Sequence, residues 1–155
     1  MYRSDDGGQS WAQSTDGLGT NETHWVTYAP SDASVAYVTT HNGVYRSGNG
    51  GLTWERRSGG LEYEFVKAIA IDPRSADVAY VGTASELNTL HSRHMQEGLH
   101  QGEGLYKTVD GGLNWFRSDT GVDEAKLVQM GTHPLLPFNL WADGESGRGA
   151  FFTPD

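Results

Sequence analysis

The stretch Tyr106-Lys107-Thr108-Val109-Asp110-Gly111-Gly112-Leu113-Asn114-Trp115 decides the fold, because the chain writes it three times. Tyr45-Arg46-Ser47-Gly48-Asn49-Gly50-Gly51-Leu52-Thr53-Trp54 and Tyr2-Arg3-Ser4-Asp5-Asp6-Gly7-Gly8-Gln9-Ser10-Trp11 follow the same order. Each has an aromatic, a basic residue, Ser or Thr, then Asp or Asn, two glycines and a closing Trp. The tryptophans are offset by 43 and 61 residues, as are Pro30, Pro73 and Pro134, and Tyr37, Tyr80 and Trp141. Three landmarks in one register define a unit of about 43 residues, with 18 extra residues in the middle interval.

Working outward from the repeat, each unit reads as four short strands. The first spans His24 to Ala29, Val66 to Ile71 and Lys126 to Gly131, where residues alternate with period two. After a Pro-containing turn comes Val35 to Val38, Val78 to Val81 or Asn139 to Ala142. Gly43, Gly104 and Gly149 open the third strand, and the Gly-Gly turn joins it to a fourth that holds the Trp. Asn-Gly and Asp-Gly between β-prone runs are hairpin signals, since both residue types tolerate positive φ. Four strands in about 43 residues is the period of a propeller blade. The fold predicted is all-β: about three four-stranded antiparallel blades of a larger β-propeller ring.

Composition agrees and excludes much else. The 155 residues suit one domain, 21 of them glycine, with five Trp and seven Tyr. Lys plus Arg is 11 against 20 Asp plus Glu, a formal charge of −9. That disfavours nucleic acid or an anionic membrane as partner, because both need a positive footprint. Without cysteine there is no disulfide, zinc-thiolate or iron–sulfur chemistry. No apolar stretch reaches the ~18 residues of a membrane span. Met1-Tyr2-Arg3-Ser4-Asp5-Asp6 does not read as a signal peptide. The Gly-Gly turns lack the Lys-Ser/Thr of a phosphate loop, and no cofactor is predicted.

The pattern resembles the Asp-box, or bacterial neuraminidase repeat, of sialidases, sortilin-type receptors, xyloglucan-active glycosidases and a photosystem II assembly factor. The boxes are residues 4–11, 47–54 and 108–115, with a truncated fourth at 153–155. The resemblance covers essentially the whole chain and implies a propeller of six to eight blades in a secreted or periplasmic protein. Three repeat periods ending inside a box predict a fragment of such a ring, or a short chain that closes one by self-association. A targeting signal would then lie in the missing N-terminal part. Function is not implied, because family members differ in activity. Ser4, Ser47 and Thr108, with Asp6, Asn49 and Asp110, are expected to hydrogen-bond the turn backbone. Gly8, Gly51 and Gly112 take angles forbidden to side chains, and Trp11, Trp54 and Trp115 fill the space between blades. Asn49 favours this structural role, since an amide is no general base.

In the resembling hydrolases the site lies opposite the boxes. Loops after the second and fourth strands share that face: 14–23, 58–65, 118–125 and the inserted residues, roughly 86–103. The insertion holds His91, Arg93, His94, Glu97 and His100. If 86–97 is helical, His91, His94 and Glu97 share a face. A ligand-contact lid without metal is the preferred reading. A solvated ornament and a zinc site stay open, the last weakly, because His-x-x-His alone defines no site. Carboxylates on this face include Asp16, Glu22, Glu62, Glu64, Asp119, Asp123, Glu124, Asp143 and Glu145. A glycosidase needs two about 5–10 Å apart. Glu62, Glu64, Asp119 and Asp123 are the candidates, with Tyr63 beside Glu62 as a sugar platform. His24, His41 and His133 read as structural strand ends. No Phe/Tyr-Arg-Ile-Pro motif supports sialidase chemistry.

Three functions compete. A non-catalytic propeller presenting loops to a protein or glycan is preferred. The alternatives are a glycoside hydrolase fragment with a two-carboxylate site and a purely structural repeat module.

Overall fold

The computed structural model describes residues 1–20, 22–83, 104–122, 127–136, 139–144 and 150–153. Among these there is no helix. Thirteen strands form four antiparallel sheets, each a simple meander in chain order. A two-stranded hairpin comes first, β1 (Tyr2–Arg3) and β2 (Ala12–Gln13). The first blade is β3 (Thr23–Ala29), β4 (Asp32–Thr40), β5 (Gly43–Ser47) and β6 (Glu55–Arg56). The second is β7 (Val66–Ile71), β8 (Ala79–Thr83), β9 (Leu105–Thr108) and β10 (Phe116–Arg117). A three-stranded sheet follows: β11 (Leu127–Thr132), β12 (Leu140–Gly144) and β13 (Ala150–Thr153).

Blades stack through their first strands, β3 against β7 and β7 against β11. Alternation along each strand gives every blade two apolar faces. Val35, Tyr37 and Val44 of the first blade pack on Ile69, Ile71, Val81 and Tyr106 of the second. The second blade's other face, Ala70 and Leu105, meets Leu127, Leu140 and Ala142. The first blade's remaining face, Ala36, Val38, Tyr45 and Trp54, is covered by Met1 and Leu18.

The repeated turn is built alike three times. Ser47 Oγ accepts the Gly51 N–H at 2.8 Å, and Thr108 Oγ1 accepts Gly112 N–H at 3.0 Å. Ser4 Oγ accepts Gly8 N–H at 2.8 Å. Each hydroxyl also donates to the Asp or Asn two residues on, at 2.8 Å. That residue in turn accepts the N–H of Ser10, Thr53 or Asn114, at 2.9 to 3.0 Å. The paired glycines sit between φ +70° and +88°, which a Cβ would penalise.

Two details differ from the sequence reading. Each Trp precedes the fourth strand rather than lying in it, so its side chain is set by the turn. Trp54 and Trp115 are buried between sheets, but Trp11 is exposed, because no described sheet lies beyond the β1–β2 hairpin.

Each buried Trp is received by a turn of the preceding unit. Trp54 N–H donates to Asp16 O at 2.9 Å, and Trp115 N–H to Gly59 O at 2.7 Å. Their indole N–H groups donate to Ser14 Oγ (3.2 Å) and Arg57 O (2.8 Å). The receiving turns carry Gly17 and Gly60 at φ +84° and +83°, packed on the Trp carbonyl so closely that a Cβ would collide with it.

Candidate functional site

The first strand of each blade starts on the side opposite the repeated turns, and the second strand ends there. His24 opens β3, His41 follows β4 and Phe65 precedes β7, so the three converge where the first two blades meet. The His24 and His41 rings stack with centroids 4.5 Å apart and planes at 23°. Phe65 stands edge-on to both, at 5.1 and 4.5 Å. Glu22 Oε2 lies 2.9 Å from His41 Nδ1, and His41 N–H donates to Glu22 O at 3.3 Å. Lys67 Nζ stands 5.6 Å from the Phe65 ring centre. This half-buried cluster joins two imidazoles, an aromatic, a carboxylate and an ammonium at a blade junction. Sequence reasoning missed it as a group. The β3–β4 register shifts between Thr23 and Trp25, at His24, and such a bulge leaves only a faint trace in sequence.

Of the candidate carboxylates, Glu64 directly precedes Phe65 in the chain. Glu64 pairs with Arg56, and its carbonyl accepts Gly43 N–H at 2.7 Å. Asp119 Oδ2 is 2.5 Å from Arg117 Nε. That hydrogen bond raises the Arg117 pKa above its ordinary value. Arg56 and Arg117 hold the same place in their repeats, each directly after the first residue of the fourth strand. Each clamps one acid. Glu62 is exposed and Tyr63 half-buried beside it. Tyr106, whose pKa is raised first by burial and then by the Glu62 charge, lies beneath. Asp143 sits in β12 rather than in a loop. Asp123, Glu124 and Glu145 lie outside the described residues, as do His91, Arg93, His94, Glu97 and His100 and the end of the truncated box. The insertion springs from this face all the same. Its stem is closed by Thr83 N–H donating to Gly104 O (3.0 Å) and Gly104 N–H to Thr83 Oγ1 (2.9 Å).

Among the described residues no three His, Asp or Glu side chains are grouped to hold a metal ion. Shallow grooves open elsewhere, on the outer faces of the stack. One is lined by Tyr2, Trp11, Val26, Tyr28 and Trp54, another by Gln129, Gly131, Trp141 and Asp143.

No protein-family model matches the chain, and no curated protein matches it. Solved structures do. An ancestral GH74 enzyme superposes on 97% of this chain with a TM-score of 0.72 and 23% identity. The GH74 xyloglucanase of Xanthomonas campestris covers 94%, with a TM-score of 0.63 and 19% identity. YCF48 from Cyanidioschyzon merolae covers 86%, with a TM-score of 0.57 and 18% identity. YCF48 bound to a D1 peptide covers 90%, at a TM-score of 0.50 and 15% identity. The match takes in 20% and 21% of the two GH74 chains and 34% and 44% of the YCF48 chains. The shared property is the fold: these sheets are propeller blades.

Proposed function

We propose that the chain is a non-catalytic set of propeller blades whose loop face binds a partner, a protein segment being favoured over a glycan. The observation that supports this reading is that two of the candidate acids are paired with arginines at the same place in their repeats, Glu64 with Arg56 and Asp119 with Arg117. A carboxylate that already faces a guanidinium is held in its charged form by that partner. A glycosidase needs one acid that stays protonated and another that is free to meet sugar or water. The His24–His41–Phe65 cluster offers a flat aromatic floor with Lys67 and Glu22 at its edge, suited to a peptide's side chains and backbone. The peptide-bound YCF48 structure is a protein of the same fold holding a polypeptide. The inserted residues with His91, Arg93, His94, Glu97 and His100, and Tyr63, complete the proposed surface.

The GH74 likenesses favour a second reading, in which Glu62, Glu64, Asp119 and Asp123 include a catalytic pair. One experiment separates the two. The chain is exposed to an immobilised peptide library and, separately, to xyloglucan oligosaccharides, with biolayer interferometry and reducing-end release as readouts. Peptide binding weakened about tenfold by His41→Ala, with no sugar release, supports the first reading. Sugar release abolished by Glu64→Gln or Asp119→Asn contradicts it.

A further inference from the structure

The chain carries two Asn-Gly pairs, Asn42-Gly43 and Asn49-Gly50, and the fold treats them in opposite ways. An Asn followed by Gly is prone to modify itself, because Gly has no Cβ to shield its nitrogen as that nitrogen attacks the Asn side-chain carbon.

At Asn49 every group in that attack is engaged. Oδ1 accepts the Ser47 hydroxyl at 2.8 Å and the N–H groups of Leu52 and Thr53 at 3.1 and 3.0 Å. Nδ2 donates to Thr53 Oγ1 at 2.8 Å, and Gly50 N–H donates to Ser34 O at 2.6 Å. The side chain cannot swing toward Gly50 without breaking the repeated turn.

Asn42 is the reverse. It is exposed at the tip of the β4–β5 hairpin, and its side-chain amide makes no hydrogen bond among the described residues. Only its main chain is held: its N–H donates to Thr40 Oγ1 at 2.9 Å, and its carbonyl accepts Arg56 Nε–H at 3.4 Å. One brake on the reaction remains. Gly43 N–H donates to Glu64 O at 2.7 Å, a bond to the loop before β7 rather than within the hairpin. Arg56 supports that brake from two sides, since the guanidinium that reaches Asn42 O also pairs with the Glu64 carboxylate.

We propose that Asn42 is a self-modification site of the native chain, with Arg56 setting its rate. Gly43 N loses its proton to hydroxide, its lone pair bonds to Asn42 Cγ, and Nδ2 leaves as ammonia after taking a proton from water. Water then adds to either carbonyl carbon of the cyclic imide and breaks its bond to nitrogen, giving aspartate or isoaspartate. Either product puts a carboxylate beside His41, whose Nδ1 already faces Glu22 at 2.9 Å. Isoaspartate also lengthens the main chain of the tight turn between Thr40 and Gly43. The reaction is independent of what the loop face binds.

The test incubates the folded full chain in mildly alkaline buffer and, in parallel, the same chain unfolded in urea. Peptide mapping by mass spectrometry reads amide-to-acid conversion at both asparagines and separates aspartate from isoaspartate by retention. In urea the two sites convert at similar rates. In the folded chain Asn42 converts at least about tenfold faster than Asn49, whose hydrogen bonds must break before attack. Arg56→Ala speeds Asn42 and leaves Asn49 slow, which also reports that the fold is intact. If that variant unfolds, both sites speed up together, and Glu64→Gln, which removes only the ion pair, supplies the same reading with a smaller change. Asn42 that stays intact in the folded chain while the urea sample converts overturns the proposal. So does Asn49 converting as fast as Asn42, or an Asn42 rate that neither variant changes.

Discussion

Trp115 and Trp11 hold the same place in the repeat and meet opposite surroundings: one is 2% exposed, the other 64%. The same hydroxyl-to-glycine and carboxylate-to-amide hydrogen bonds close both turns. What differs is the neighbour. Trp115 lies on the Arg57–Leu61 turn of the unit before it, whereas no described unit lies before Trp11. The comparison teaches that the local sequence builds the turn, and only the preceding unit buries the Trp. This is the nearest-neighbour logic of a repeat protein, in which much of the stability resides in contacts between units.

Breaking the buried side gives the largest effect. Trp115→Ala should cost about 3–5 kcal/mol of stability, in the range of large aromatic truncations in cores. Trp11→Ala should cost less than about 0.5 kcal/mol. Urea denaturation of the two variants measures both. The receiving turns come next. Gly60→Ala combines a left-handed backbone penalty of about 1–2 kcal/mol with overpacking of about 1–3 kcal/mol against the Trp115 carbonyl, 2.5 Å from the added carbon. Gly121, also at positive φ, has nothing within 4 Å of an added carbon, so Gly121→Ala should show the backbone part alone. Thermal melts compare them. A smaller difference separates the turn hydroxyls. Ser47→Ala leaves the buried Gly51 N–H unsatisfied, at about 1–3 kcal/mol, while at exposed Ser4 water replaces the lost bond and the change is slight.

The smallest effect is a pH response. The side-chain hydroxyl and backbone N–H of Ser10, with the Ser4 hydroxyl, hold Asp6 down to about 2, and Asn114 lowers Asp110 in the same direction. A carboxyl depressed in the folded state contributes stability that is fully present above its ordinary value of 3.8 and lost as pH falls through the folded value. The middle turn uses Asn49, which has no proton to take up. The amide resonances of Ser10 and Asn114 should therefore shift as pH falls from about 4 toward 2, and that of Thr53 should not.

Most of the blade architecture was legible in the sequence. The 43-residue offset fixes strand order, and the Asn-Gly or Asp-Gly pairs fix the hairpins. The exposure of Trp11 was not legible from the repeat itself, because burial depends on a surface outside the repeat. The His24–His41–Phe65 cluster escaped for another reason. Its members are far apart in sequence and have no repeat counterpart, so neither spacing nor period marks them. The acid clamps were half-legible. Arg56 and Arg117 repeat, but their acids stand eight residues and two residues further on, so no common motif marks the pair.

Exchange of the indole N–H protons tests the central claim most directly, measured by NMR in deuterated buffer on the dilute chain. Trp54 and Trp115 donate these protons to Ser14 Oγ and Arg57 O within the fold. The account predicts slow exchange at both and exchange at the free rate at Trp11. If Trp115 exchanges as fast as Trp11, the preceding unit does not hold it, and the account of how these blades cohere is wrong.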